Sequence, residues 1–105
     1  MSSRVPLLLG RIRLVVPERV LTRAIEQTLV VLDLDSGRSF ALDPIGSRAW
    51  TLLTTAPTAL VAYETLLAEY EADPAGLRAD VEALVETLVE RSLVIVESIA
   101  APDGQ

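Results

Sequence analysis

The chain has 105 residues, a formal net charge of −6 and neither cysteine nor histidine, and half of its residues are hydrophobic. That length holds one domain with a single core of modest depth and no separate substrate domain, so binding is expected through one face or groove. Without Cys or His there are no disulfides or thiolate sites, carboxylates are the only available metal ligands, and zinc chemistry is excluded; no cofactor is expected.

Only Phe40, Trp50, Tyr63 and Tyr70 are aromatic, so the core must be built chiefly from Leu, Val, Ile and Ala. This is a globular composition, not a disordered one. The opening run MSSRVPLLLG is too short in apolar residues for a signal sequence before Arg11 and Arg13 interrupt it. No stretch approaches the ~20 apolar residues that span a bilayer, and a cytoplasmic protein without a membrane partner is expected. All nine basic residues are Arg; seven lie between Arg4 and Arg48, whereas nine acids occupy residues 64–97 beside only Arg78 and Arg91. So acidic a half repels phosphate backbones at long range, which disfavours nucleic acid as a partner. Its simplest role is a solvated helix face.

In chain order, residues 12–16 read as a first strand ended by Pro17. Residues 17–28 give mixed signals, with Arg19, Val20, Leu21 and Ile25 at partial apolar spacing, and their conformation is left open. A β-hairpin follows. The β-branched run of residues 29–34 favours extended backbone, Asp35-Ser36-Gly37 supplies turn chemistry, and residues 39–42 alternate small and large side chains. Asp43-Pro44 then ends the strand, because Pro lacks a ladder donor but suits the first turn of a helix.

Three helices are expected next. The first spans residues 44–54, with Asp43 as its N-cap and Ile45, Ala49, Trp50 and Leu53 on one face. Beyond Pro57, residues 58–70 carry Leu60, Tyr63, Leu66, Leu67 and Tyr70 at three- and four-residue spacings. Asp73-Pro74 breaks the chain again. Residues 74–91 place Leu77, Val81, Leu84, Val85, Leu88 and Val89 on an apolar face roughly 140° wide at ~100° per residue, with Glu82, Glu86 and Glu90 opposite. Residues 93–97 form a last short strand or extended segment. Residues 1–11 read as an N-terminal extension, residues 12–97 as the domain, and residues 98–105 as a flexible polar tail.

This order suits an α+β fold, winged-helix-like, with a three-stranded antiparallel sheet followed by three helices and a short C-terminal strand. Its geometry sets the third helix beside the last strand of the sheet, forming a groove with backbone groups on one wall and aliphatic side chains on the other. The strand at residues 39–42 has an open edge that can accept another chain's strand. The competing expectation is that the whole apolar face of the third helix is buried in the domain's own core.

Catalytic readings find little support. Asp33-Leu34-Asp35 after an apolar run has the form of the nucleophile strand of haloacid-dehalogenase-type phosphatases, but that chemistry needs a basic partner and a larger domain, and the chain has no Lys. Read as a calcium loop, the same segment has Arg38 at the sixth position and Pro44 at the twelfth, where Gly and Glu are needed. Ser36, Ser39 and Ser47 have no His or Lys to act as base. A non-enzymatic protein is therefore expected.

The sequence VLDLDSGRSFALDPIGSRAW, followed by DVEALVETLVERSLV, resembles the PqqD-like family of recognition elements, which bind the leader peptides of ribosomally made, modified peptides (RiPPs). The resemblance covers residues 12–96. It rests on the turn at Asp35 to Gly37, Leu42-Asp43 followed by Gly46 and Trp50, Asp80-Val81 with Leu84 and Leu88, and Leu93-Val94. Ser92 stands where the family often has Gly at the helix C-cap, which leaves the end of the third helix open.

The resemblance implies that a leader peptide is captured as an added antiparallel strand, with a backbone ladder along Arg38, Ser39, Phe40, Ala41 and Leu42 and side-chain contacts from Asp80, Val81, Leu84, Val85 and Leu88. Phe40, Leu42 and Trp50 are expected to serve chiefly as core residues that support the groove. Arg38 either pairs an acidic leader residue or blunts the exposed edge. Ladder bonds contribute roughly 0.5 to 1.5 kcal/mol net each and ordering a leader costs about 2 to 5 kcal/mol, so apolar anchors must supply most of the affinity.

The resemblance further implies an adaptor that presents a precursor to separately encoded enzymes, most similar to the stand-alone recognition subunit of split lasso-peptide leader peptidases, with a cysteine protease and a cyclase as partners. A peptide chaperone of pyrroloquinoline quinone synthesis would share almost every feature. A winged-helix transcription regulator is the reading from another class, but residues 80–90 carry acids and no positive residue toward DNA. The protein is expected to be a monomer, or a weak homodimer if its open edge pairs with itself.

Overall fold

The computed structural model describes residues 9–99. After a single 3-10 turn at Leu9–Arg11 the elements are β1 (Ile12–Val15), β2 (Val20–Ile25), β3 (Thr28–Asp33), β4 (Ser39–Leu42), α1 (Pro44–Thr55), α2 (Ala59–Tyr70), α3 (Pro74–Glu90) and β5 (Ile95–Ser98). The fold is α+β as expected: a three-stranded antiparallel meander in the order β2-β3-β4, three helices, and a closing strand.

The membership of the meander differs from the expectation. β1 does not join it; β1 pairs with β5 in a separate two-stranded ribbon, Ile12 opposite Ser98 and Val15 opposite Ile95. The third member is β2, from the segment whose conformation the sequence left open, with Val20 opposite Asp33 and Ile25 opposite Thr28. Along β2 only Val20 is buried, so this edge strand lacks the alternation that reveals a half-buried strand. Leu9 packs in the core, and the Ile99 N–H donates to the Arg11 carbonyl at 2.7 Å, so the ordered domain reaches into both flanks assigned by sequence to extension and tail. The rest of those flanks lies outside the described residues.

The helices begin where their caps require. Asp43 and Asp73 each accept a hydrogen bond from the glycine N–H three residues on, at 2.7 and 2.8 Å, with Pro at the first helical position, and Thr58 caps α2 in the same way. α3 ends in a Schellman motif: Ser92 takes a left-handed φ of 60°, its N–H donates to the Val89 carbonyl, and the Leu93 N–H donates to the Leu88 carbonyl at 2.9 Å. The helix thus stops where a Gly would stop it, although the residue is Ser.

One core joins these elements. Val31 and Leu42 from the meander meet Trp50 and Leu53 of α1, Leu66 of α2, and Val81, Val85 and Leu88 of α3. The Tyr63 hydroxyl donates to the Pro74 carbonyl at 2.9 Å and ties α2 to the start of α3. Arg48 holds Glu69 with two hydrogen bonds, at 3.0 and 2.7 Å, clamping α1 to α2.

Candidate functional site

β4 is the outer strand of the meander, paired on one side with β3. The register sets Leu32 opposite Ser39, Val31 opposite Phe40, Val30 opposite Ala41 and Leu29 opposite Leu42. Just before the strand the Asp33 N–H donates to the Arg38 carbonyl at 2.9 Å, which fixes the phase of the ladder. Because antiparallel strands direct alternate residues to alternate sides, Phe40 and Leu42 turn their peptide groups toward β3, and Ser39 and Ala41 turn theirs to the open edge. The four-residue strand spans about 14 Å at ~3.4 Å per residue.

At the far end of β4 the ladder opens around a side chain. Ser47 of α1 accepts the Leu29 N–H at 2.8 Å and donates to the Leu42 carbonyl at 3.1 Å, standing between two residues that the register sets opposite each other. This hydroxyl fixes where β4 leaves the sheet and how α1 is set against it.

Beside the open edge lies a groove of about 430 Å³, bounded by Phe40, Ala41 and Leu42 of β4, by Ile45 and Ala49 of α1, and by Leu77, Asp80, Val81 and Leu84 of α3. Leu66 of α2 closes its floor. A second hollow of about 340 Å³ continues past Phe40 toward Arg38, Ser39, Arg91 and Leu93. Phe40 lines both, so that the two hollows follow β4 as one channel, and the Arg91 guanidinium, which lines the second, lies 4.9 Å from its ring centroid in a cation–π contact.

The five β4-side candidates, Arg38 to Leu42, line this channel, and Asp80, Val81 and Leu84 face them from α3. Val85 and Leu88 border neither hollow and are 0% exposed; Val81, though 2% exposed and part of the same core, borders the groove. The resemblance implies that both contact a peptide, whereas in the structure neither borders the groove; nor is the whole helical face interior, since Leu84 is only partly buried and opens onto the groove. A 100° periodicity places all five on one face but cannot say how far the neighbouring helix covers it.

Sequence reasoning missed two contributors. Helical spacing puts Ile45 on the core face of α1, yet it is 52% exposed and lines the groove. It sits in the first turn, beyond the reach of the core that covers Ala49 four residues later. Arg91 follows the last helical residue and was read only as a lone base among acids.

The turn that delivers β4 is organised by Asp33. Its carboxylate accepts the Asp35 N–H and the Ser36 hydroxyl, each at 3.0 Å, and lies 3.5 Å from Arg19. Burial pushes this carboxyl up, but those two hydrogen bonds and the Arg19 charge outweigh it and hold the pKa below the ordinary aspartate value. Arg19 also donates to the Ser92 carbonyl, joining the β2 end of the meander to the end of α3. The Asp33-Leu34-Asp35 segment is thus a structural turn. Among the described residues no group of three or more carboxylates is placed to hold a metal ion.

Comparison with known proteins follows the same lines. The structure is similar to a solved chain described as TbiB1 in complex with the TbiA(beta) leader peptide, with a TM-score of 0.71, 28% identity, and coverage of 76% of this chain and 93% of that one. No match was found among curated proteins. The family model for coenzyme PQQ synthesis protein D (PqqD) matches residues 28–94, which hold the hairpin, all three helices and the Schellman turn. On that match the chain belongs to the PqqD family.

Proposed function

We propose that this protein binds the leader segment of a ribosomally made precursor peptide as an added antiparallel strand on β4 and presents the precursor to separate processing enzymes. The observation that carries this reading is the open edge of β4 beside a groove lined by Ile45, Val81 and Leu84. Family membership and the leader peptide bound to TbiB1 support it.

The outward peptide groups of Ser39 and Ala41 offer two donors and two acceptors. At roughly 0.5 to 1.5 kcal/mol net per bond they about offset the ~2 to 5 kcal/mol of ordering a flexible segment. Affinity then rests on apolar leader side chains in the groove, at ~1.5 to 3 kcal/mol for each one buried. Edge and groove must therefore act together: the edge sets register and orientation, and the groove supplies strength.

Arg38, Ser39, Phe40, Ala41, Leu42, Asp80, Val81 and Leu84 form the peptide site in this reading, with Ile45 added. The protein does no chemistry of its own. Its partners are a cysteine-protease leader peptidase and a cyclase of lasso peptide biosynthesis, which gain effective substrate concentration from the tethered precursor. A peptide chaperone in PQQ synthesis is the second reading, favoured by the description of the matching family model.

Hydrogen exchange followed residue by residue tests the capture mode. Adding leader peptide is expected to slow exchange at the Ser39 and Ala41 amides, while Phe40 and Leu42, already turned toward β3, change little. Unchanged exchange along β4 with saturating leader would overturn the reading.

A further inference from the structure

The channel along β4 has a different charge at each end. Where β4 runs into α1, the charged residues lining the groove are Asp43 and Asp80, and no basic side chain lines that groove. At the start of β4, Arg38 and Arg91 line the second hollow with Asp33 and Glu90. Asp33 is engaged by Arg19, so the arginines outnumber the remaining acid there. No ion pair engages Arg38, Asp80 or Arg91 among the described residues, and all three are exposed.

An antiparallel guest would enter with its N-terminal end beside Leu42 and leave with its C-terminal end beside Arg38. Side chains on the groove side recur every second residue. A guest residue opposite Leu42 faces the apolar groove, the residue two further on meets Phe40, and the residue four further on reaches Arg38 and Arg91. The groove-side position before the first anchor, two residues earlier, lies toward Asp43 and Asp80.

We propose that the channel selects extended segments with a cationic residue two positions before the first apolar anchor and a carboxylate four residues after that anchor. This deepens the capture reading and rests on it: the ladder admits many extended segments, and the two charged ends choose among them and fix their direction. Complementary rim charges also speed encounter and disfavour the opposite charge order.

Three dye-labelled synthetic peptides with identical Gly-Ser flanks test it by fluorescence anisotropy. Their cores are Lys-Thr-Leu-Thr-Val-Thr-Glu, the charge-exchanged Glu-Thr-Leu-Thr-Val-Thr-Lys, and the neutral Gln-Thr-Leu-Thr-Val-Thr-Gln. The first is expected to bind about tenfold tighter than the second at low salt, with the neutral peptide between them. At about 0.5 M salt the preference should shrink toward parity, because exposed pairs are screened. In the double variant Asp80→Arg, Arg38→Glu the order should invert. Equal binding of the two charged peptides, or tighter binding of the exchanged one, overturns the charge selection and leaves peptide capture standing. Failure of all three, the neutral one included, counts against capture itself.

Discussion

The hydroxyl of Ser47 donates to the carbonyl of Leu42 across 3.1 Å, and through it the first turns of α1 hold the end of the strand that offers the open edge. The same oxygen accepts the Leu29 N–H, so one side chain satisfies both sides of a ladder position. Ser47 is 7% exposed, and water has little access to replace it. Ser47→Ala is expected to lower unfolding free energy by about 1 to 3 kcal/mol, the cost of leaving buried polar groups unpaired, as read from urea denaturation. A loss within ~0.5 kcal/mol, the range of surface substitutions, would mean that the strand end closes up without it.

Proline separates the two edges of β4. At Ala41 it removes an N–H that points away from β3, so the ladder with β3 stays intact. Ala41→Pro is expected to keep a cooperative thermal transition and to weaken leader binding by about tenfold or more, through one lost bond and the ring's crowding of the incoming strand. Proline at Phe40 would instead break the bond to β3 and destabilise the sheet. Equal loss of stability at the two positions would refute the assigned phase of the ladder.

Leu84 and Leu88 lie one turn apart on α3 and should respond in opposite ways. Leu84→Glu puts a charge into the groove, where the side chain still reaches water, so leader binding should fall at least tenfold while the melting temperature moves little. Leu88 is fully enclosed, and Leu88→Ala is expected to cost about 2 to 5 kcal/mol of stability. Calorimetry beside a binding titration on each variant resolves the pair. A Leu84→Glu protein with full affinity would move the apolar anchor elsewhere.

Ser92 holds a left-handed conformation at φ 60° in a turn whose two hydrogen bonds are already made. Ser92→Gly relieves the contact of Cβ with the backbone and keeps both bonds, so a gain of about 1 kcal/mol is expected. The midpoint of chemical denaturation reports it. A loss would show that the gain is outweighed by the added freedom of glycine in the unfolded chain.

Acid should weaken the hairpin turn through Asp33. Its folded pKa lies below the ordinary aspartate value, so the stability it contributes is complete above the unfolded pKa near ~3.9 and is lost as pH falls through the folded pKa. Glu69, held low by its hydrogen bonds from Arg48, adds to the same acid limb. Asp33→Asn is expected to be less stable than the parent at neutral pH, with the difference shrinking below about pH 4. A constant difference between the two stability curves across that range would show that the carboxylate's charge plays no part.

Much of this protein follows from local chemistry. Asp43-Pro44 and Asp73-Pro74 start helices because a carboxylate can cap the N–H three residues on and proline has none to lose. The hairpin turn, the three helices and the chain's relationship to the PqqD family were likewise legible in residue order and spacing. Strand partnership was not: β1 pairs with β5 across most of the chain, and β2 carries too few buried positions to announce itself. Nor was the division of α3 into wall and core. Val85 and Leu88 share a helical face with Val81 and Leu84, and only the placement of the neighbouring elements determines which of them water or a guest can reach. Periodicity is a property of one helix, whereas exposure is a property of what packs against it. The sequence by itself therefore determined the helices, their caps and the hairpin whose second strand keeps an open edge, and the tertiary structure alone decided which strands complete the sheets and which apolar side chains line the groove beside that edge.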